Sequence, residues 1–129
     1  MDDCIFCKII KGEIPSKEIY QDEYIKVIMD INPKSNGHLL VLPINHYENI
    51  LDIDNEVLMK IVDFARKAYK TSNEILGSKG MTLVNNNGEG QDVKHFHLHL
   101  IPRYEGEKID MEASPNIEDI EKIYNKFMD

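Results

Sequence analysis

His95-Phe96-His97-Leu98-His99-Leu100-Ile101 sets three of the chain's five histidines at alternate positions of one apolar run. In extended backbone successive side chains point to opposite faces, so the three imidazoles share one face while Phe96, Leu98 and Leu100 occupy the other. One face is suited to chemistry and the other to a core. A lone histidine in an apolar strand is most often a hydrogen-bonded core residue. Three titratable rings side by side on one face are a different matter, because a core has no use for them.

Outward from that run, the elements follow from spacing. Upstream, Met81 to Val84 reads as a short strand entering the polar loop Asn85 to Gly90. Before it, Leu58, Ile61, Val62, Ala65, Ala68, Tyr69 and Leu76 recur at three and four within residues 55–76, a long amphipathic helix with Gly77 and Gly80 as stop signals. Residues 18–21 and 24–29 read as strands joined by a turn at Asp22-Glu23, and His38 to Leu42 as a third strand halted by Pro43. Downstream, the histidine strand is expected to stop at Pro102. A polar stretch from Glu105 to Glu112 leads to Ser114-Pro115, a helix-start signal, and to a stripe of Ile117, Ile120, Ile123, Tyr124 and Phe127. Strands, helix, strands and helix in that order predict an α+β fold with a mostly antiparallel sheet.

The chain has 129 residues without internal repeat, low-complexity tract or composition break, which reads as a single domain, 1–129, able to bury a core without disulfides. Its formal net charge of −8 is spread without a basic block, which argues against nucleic acid as a partner. A small phosphate remains compatible, since backbone amides and imidazoles can build a locally positive pocket. No apolar stretch approaches the roughly 20 residues that cross a bilayer, and the acidic start Met1-Asp2-Asp3 is unlike a signal peptide. These readings exclude a membrane partner and predict a cytoplasmic protein. Cys4 and Cys7 have C-x-x-C spacing, read as a metal or redox pair, or as two small buried residues. A tetrahedral zinc on that pair requires two further ligands, which histidines can supply.

With Gly90-Gln91-Asp92-Val93-Lys94 before the run and Pro102-Arg103-Tyr104 after it, the sequence resembles the histidine-triad family. The resemblance also rests on Asp30-Ile31-Asn32-Pro33, Gly37-His38-Leu39-Leu40-Val41-Leu42-Pro43, His46, and Cys4-Ile5-Phe6-Cys7-Lys8-Ile9-Ile10. It covers residues 4 to 104 and leaves 105–129 as a C-terminal extension. The resemblance implies the histidine-triad fold, a five-stranded sheet with one long central helix and a C-terminal helix, and a homodimer that extends the sheet across its interface.

Function implied by this resemblance is that of the Hint-like branch: cleavage of purine nucleoside 5′-phosphoramidates or related nucleotide conjugates through a covalent nucleotidyl-histidine. His97 is then the nucleophile, held by a backbone carbonyl of its own strand, with His99 at the phosphate and His38 and His95 completing the histidine network. Asp30 falls on the ribose position, and its other reading is an Asx turn before Pro33. Asn85 and Gln91 fall at the ribose and phosphate, with a plain connector as the other reading of the loop. Ile31, with Phe6, Ile10 and Ile28, is a candidate base-pocket wall or core. Structural zinc on Cys4, Cys7, His46 and His95 is implied, and no organic cofactor. Cleavage of dinucleoside polyphosphates, catalysis by a metal held on the histidines, and nucleotide binding without turnover are the rival readings. The sequence departs from the family pattern at Asp92, where serine or threonine is frequent. Asp92 either turns away or favours a cationic amine leaving group. The loop before Gln91 is also shorter than in many members.

Overall fold

Alternation along β2 (Ile25–Met29) and β3 (Leu39–Pro43) sets up two cores, one on each face of a sheet. On one face Ile25, Val27, Val41, Phe96, Leu98 and Leu100 meet Ile53, Val57, Ile61, Ala65 and Ala68. Most of the latter belong to α2 (Asn55–Leu76), which Asp54 caps by accepting from the amides of Glu56 and Val57. On the other face Ile28, Leu40 and Leu42 meet Phe6 and Ile9 of α1 (Ile5–Ile10). The remaining elements are β1 (Glu18–Gln21), β4 (Gly80–Val84), β5 (Leu98–Arg103) and α3 (Ile120–Met128). This computed structural model describes residues 3–129. The start at Met1 and Asp2, read above against a signal peptide, lies outside the described residues.

The five strands lie in the order β1-β2-β3-β5-β4, and every neighbouring pair is antiparallel. The α+β, five-stranded expectation therefore holds, with the long helix at its expected bounds. Among the described residues no helix is long and apolar enough to cross a membrane.

Strand ends shift by a residue, with β3 starting after His38 and taking in Pro43 and β4 taking in Gly80, and four larger details differ from the sequence expectation. Helix α1 was not foreseen; its Ile5, Phe6, Ile9 and Ile10 have helical spacing, and Cys4 caps it by accepting from the Cys7 amide at 3.4 Å. The β5 ladder begins at Leu98, because β3 reaches back only to the Val41–Leu98 pair while the Phe96 amide donates to the Tyr47 carbonyl at 2.7 Å. His95, at the end of a bend, and His97 thus precede the ladder, and the alternation survives in that Phe96, Leu98 and Leu100 share one core. Pro102 does not stop β5, which runs on to Arg103. There β3 has ended and only β4 is alongside, so the missing amide of Pro102 breaks no ladder on the β3 side. Finally, α3 starts at Ile120 behind Asp119 and not at Ser114-Pro115, where Ser114 only accepts from the Asn116 amide in a turn.

Gly37 shows why the third strand starts where it does. Its φ is +90°, and a Cβ there would lie 2.6 Å from Leu76 Cδ1 and 3.3 Å from Pro102 Cγ. Only glycine turns the chain in that space and delivers His38 to the edge of β3.

Candidate active site and metal centre

Backbone groups dictate which ring nitrogen carries the proton on each histidine. An amide can only donate and a carbonyl can only accept, so each contact assigns a tautomer. The Lys34 amide donates to His38 Nδ1 at 3.0 Å. The proton of neutral His38 is therefore on Nε2, which donates to His99 Nδ1 at 2.9 Å with Asp30 Oδ2 3.4 Å away. His99 then holds its own proton on Nε2, free for an acceptor in the adjoining cleft. His97 Nδ1 donates to the carbonyl of His95 at 2.8 Å, leaving a lone pair on Nε2. His95 Nε2 donates to the Pro43 carbonyl at 3.0 Å, leaving its Nδ1 lone pair toward the cysteines.

Burial favours the neutral form of His38, His95 and His99. It lowers the pKa of His38 against the pull of Asp30. For His99, burial and then the neighbouring His97 and His38 bring it down to about 4, opposed by Asp30 and Asp92. His95 is fully enclosed and also falls to about 4, with burial leading and the bond to Pro43 opposing. Phe6 packs edge-on against both His95 and His97, with ring centroids 5.9 Å and 5.0 Å away. The face predicted for chemistry thus gathers His95 and His97 under Phe6 of α1, with His99 beside His97 and His38 beside His99.

An open cleft of about 590 Å³ borders His38 and His99, lined also by Asp30, Asn32, Lys34, Asn86, Asp92 and Arg103. Asp30 serves as the Asx-turn residue, its Oδ1 accepting from the Asn32 amide at 2.8 Å, and its other oxygen faces His38. Ile31 is 87% exposed, whereas Phe6 and Ile28 are core, so these apolar residues do not gather into one wall. Asn85 Nδ2 donates to the His97 carbonyl at 3.0 Å. Gln91 is buried, its Nε2 donating to the Glu48 carbonyl and its Oε1 accepting from the Gly88 amide at 3.0 Å, so it braces the loop from within. Sequence reasoning did not single out Lys34, Asn86 or Arg103, which are cleft residues here. Of these, Arg103 alone had a signal, its place at the end of the histidine strand.

Cys4, Cys7, His46 and His95 come together, with one donor atom from each lying within 4.8 Å of the others. A tetrahedral zinc with bonds of about 2.3 Å to sulfur and about 2.0 Å to nitrogen sets nitrogens about 3.3 Å apart and sulfur about 3.5 Å from nitrogen. Here the two Nδ1 atoms are 3.2 Å apart. Cys7 Sγ is 3.3 Å from His46 Nδ1 and 3.6 Å from His95 Nδ1. Cys4 Sγ is 3.5 Å from His95 Nδ1. Both cysteines are free thiols. The donor set, its spacing and the His95 tautomer fixed by Pro43 all fit zinc. Burial, and then Cys4, push the Cys7 thiol up, a cost that a bound cation reverses.

A single five-stranded antiparallel sheet with a helix on each face and a histidine cluster at the start of one strand defines an α+β class, and comparison with known proteins gives the family. The HIT domain model matches residues 11–106, and the chain belongs to that family. It is 46% identical over 106 residues to an uncharacterized HIT-like protein of Methanocaldococcus jannaschii, covering 81% of each. The adenosine 5′-monophosphoramidase HNT1 of Saccharomyces cerevisiae is 37% identical over 102 residues, covering 78% of this chain and 62% of that one. Identity to the adenylylsulfatase HINT3 of Arabidopsis thaliana is 39% over 109 residues, 81% of this chain and 54% of that one. Among solved structures, a zinc-bound histidine triad family protein from Mycobacterium smegmatis superposes with a TM-score of 0.80 at 32% identity, covering 89% of this chain and 85% of that one.

Proposed function

We propose that this protein hydrolyses purine nucleoside 5′-phosphoramidates or related nucleotide conjugates to the nucleoside monophosphate. The observation that carries the reading is the His97 Nδ1 bond to the His95 carbonyl, which leaves Nε2 as an unprotonated nucleophile. A bond forms between Nε2 and the α-phosphorus as the bond from phosphorus to nitrogen breaks, and the departing nitrogen takes up a proton from solvent. Water then attacks the nucleotidyl-histidine, restoring His97 and returning the proton. His99 Nε2 donates to a phosphate oxygen, and Asn85 steadies the His97 backbone. Two relatives with a phosphoramidase and an adenylylsulfatase name support cleavage at an adenylyl phosphorus.

Zinc on Cys4, Cys7, His46 and His95 is the proposed structural cofactor, tying α1 to the segment that carries His97, with no organic cofactor. Asp30 and Ile31 remain the proposed substrate contacts, while Asn85 and Gln91 serve the site by holding the His97 carbonyl and the loop. A cytoplasmic homodimer of one domain, with 105–129 as its extension, completes the reading.

The test is AMP release from adenosine 5′-phosphoramidate by wild type and His97→Ala, beside mass spectrometry of acid-quenched protein. AMP release lost in the variant and a mass increase of one adenylyl group on wild type are expected. A folded wild type that binds AMP but releases none would assign the site to nucleotide binding alone.

A further inference from the structure

Asp92 belongs to two clefts at once. The first is the cleft beside His38 and His99. The second, of about 360 Å³, opens past Asp92 and is bordered by Asp3, Glu48 and Lys94 next to Cys4 and His46. His97 stands between them along the chain. His99 on one side lines the first cleft, and His95 on the other turns its Nδ1 to the metal-ligand cluster behind the second. The His97 ring lies 5.1 Å from that of His99, beside the first cleft, and Asp92 is the residue at the seam where a substrate reaching from the first cleft into the second would pass.

The Asp92 side chain is exposed, and it forms no ion pair with any described residue. An unneutralised carboxylate acts on whatever fills the seam. Its charge already reaches His99, where it opposes the effect of burial. The first cleft balances Lys34, Arg103 and Lys108 against Asp30, Asp92 and Asp110, whereas the second sets Asp3, Glu48 and Asp92 against Lys94 alone. The two halves are thus electrostatically unequal.

We infer that Asp92 selects the leaving group of this site, favouring a departing amine over a departing polyphosphate. The inference rests on the phosphoramidate reading above and specifies its substrate class. When the bond from phosphorus to nitrogen breaks, the nitrogen takes up a proton and gains positive character in the transition state. Asp92 stabilises that charge. When a phosphoanhydride breaks, the leaving polyphosphate gains negative charge at the same place, and Asp92 opposes it. Discrimination of this kind acts on the transition state and so enters kcat/KM for each substrate.

The experiment measures kcat/KM for adenosine 5′-phosphoramidate and for diadenosine tetraphosphate with wild type, Asp92→Asn and Asp92→Glu. Removal of one unit charge from a solvent-accessible cleft is expected to lower the preference for the phosphoramidate about tenfold in Asp92→Asn. Part of that change is a gain against the tetraphosphate, which a merely damaged site cannot produce. Asp92→Glu keeps the charge and the preference. An active wild type whose preference is unchanged in Asp92→Asn overturns this inference and leaves the phosphoramidate reading standing. A folded wild type that cleaves neither compound overturns both.

Discussion

At the scale of residues, the site is a chain of imidazoles whose hydrogen-bond roles are set by backbone atoms. The burial of His99 has a pH signature. His99 has its pKa lowered to about 4 by burial, His97 and His38, against Asp30 and Asp92, while in the unfolded chain it titrates near about 6.5. Between those values the unfolded state binds the extra proton, so stability rises with pH across the window. Folding stability is expected to be full above about pH 6.5 and to fall as pH drops toward 4. Denaturant unfolding at a series of pH values checks it, and His99→Asn should flatten the slope relative to wild type. The histidines themselves were legible in the sequence because a period of two needs only residue identities. Their partners were not. The Lys34 amide, the Pro43 carbonyl and the His95 carbonyl are backbone groups that every residue carries, so nothing in the sequence marks them. Asn85 was singled out for a ligand, whereas here it holds the His97 carbonyl. Asn85→Ala is expected to lower kcat about tenfold with KM for adenosine 5′-phosphoramidate nearly unchanged, since the lost bond positions the nucleophile. An equal rise in KM would assign Asn85 to substrate instead.

At the scale of elements, what could be read ahead was what repeats. α2 is long enough for its apolar stripe to declare itself, and its cap Asp54 and stop Gly77 sit at the ends of that stripe. The six residues of α1 span less than two turns, too few for periodicity to separate a helix from a loop with apolar anchors. α3 was seen as a stripe and placed too early, because proline and serine signal a start only when helix follows at once. Its stripe also finds no core among the described residues. Ile120 is 78% and Phe127 83% exposed, so the stabilisation that burial of such side chains brings is not gained within the protomer. Deletion of residues 117–129 is expected to leave the unfolding midpoint of dilute protein unchanged within error, as followed by circular dichroism. A large drop would show that α3 packs on its own domain. The Gly37 turn is the opposite case, small and indispensable. With φ at +90° and Leu76 in the way of any Cβ, Gly37→Ala is expected to cost at least about 1 kcal/mol in denaturant unfolding, on the scale of left-handed backbone strain alone.

For the whole molecule, the decisive link runs between layers. The sheet holds α2 through a broad apolar face, but α1 buries Phe6 and Ile9 in a smaller core on the other side, with Cys4 and Ile10 packed at its edge. Cys4 and Cys7 belong to α1 and its cap, His46 follows β3, and His95 begins the segment leading to β5. A zinc on those four donors would join the helix to two parts of the sheet, and the same helix packs Phe6 against His97. The ion would therefore stiffen the nucleophile's surroundings without touching the reacting phosphorus. The expected zinc content is one ion per chain by elemental analysis of protein purified without chelator. The double variant Cys4→Ser, Cys7→Ser should lose the ion and lower the unfolding midpoint, because a metal bound only by the folded state adds its binding energy to folding. Amide exchange locates the effect: protection should fall in residues 5–10 and be retained in α2, whose core lies across the sheet. Loss of protection through α2 as well would make the metal a condition of the entire fold, and unchanged protection in residues 5–10 would leave hydrophobic contacts alone as the hold on α1.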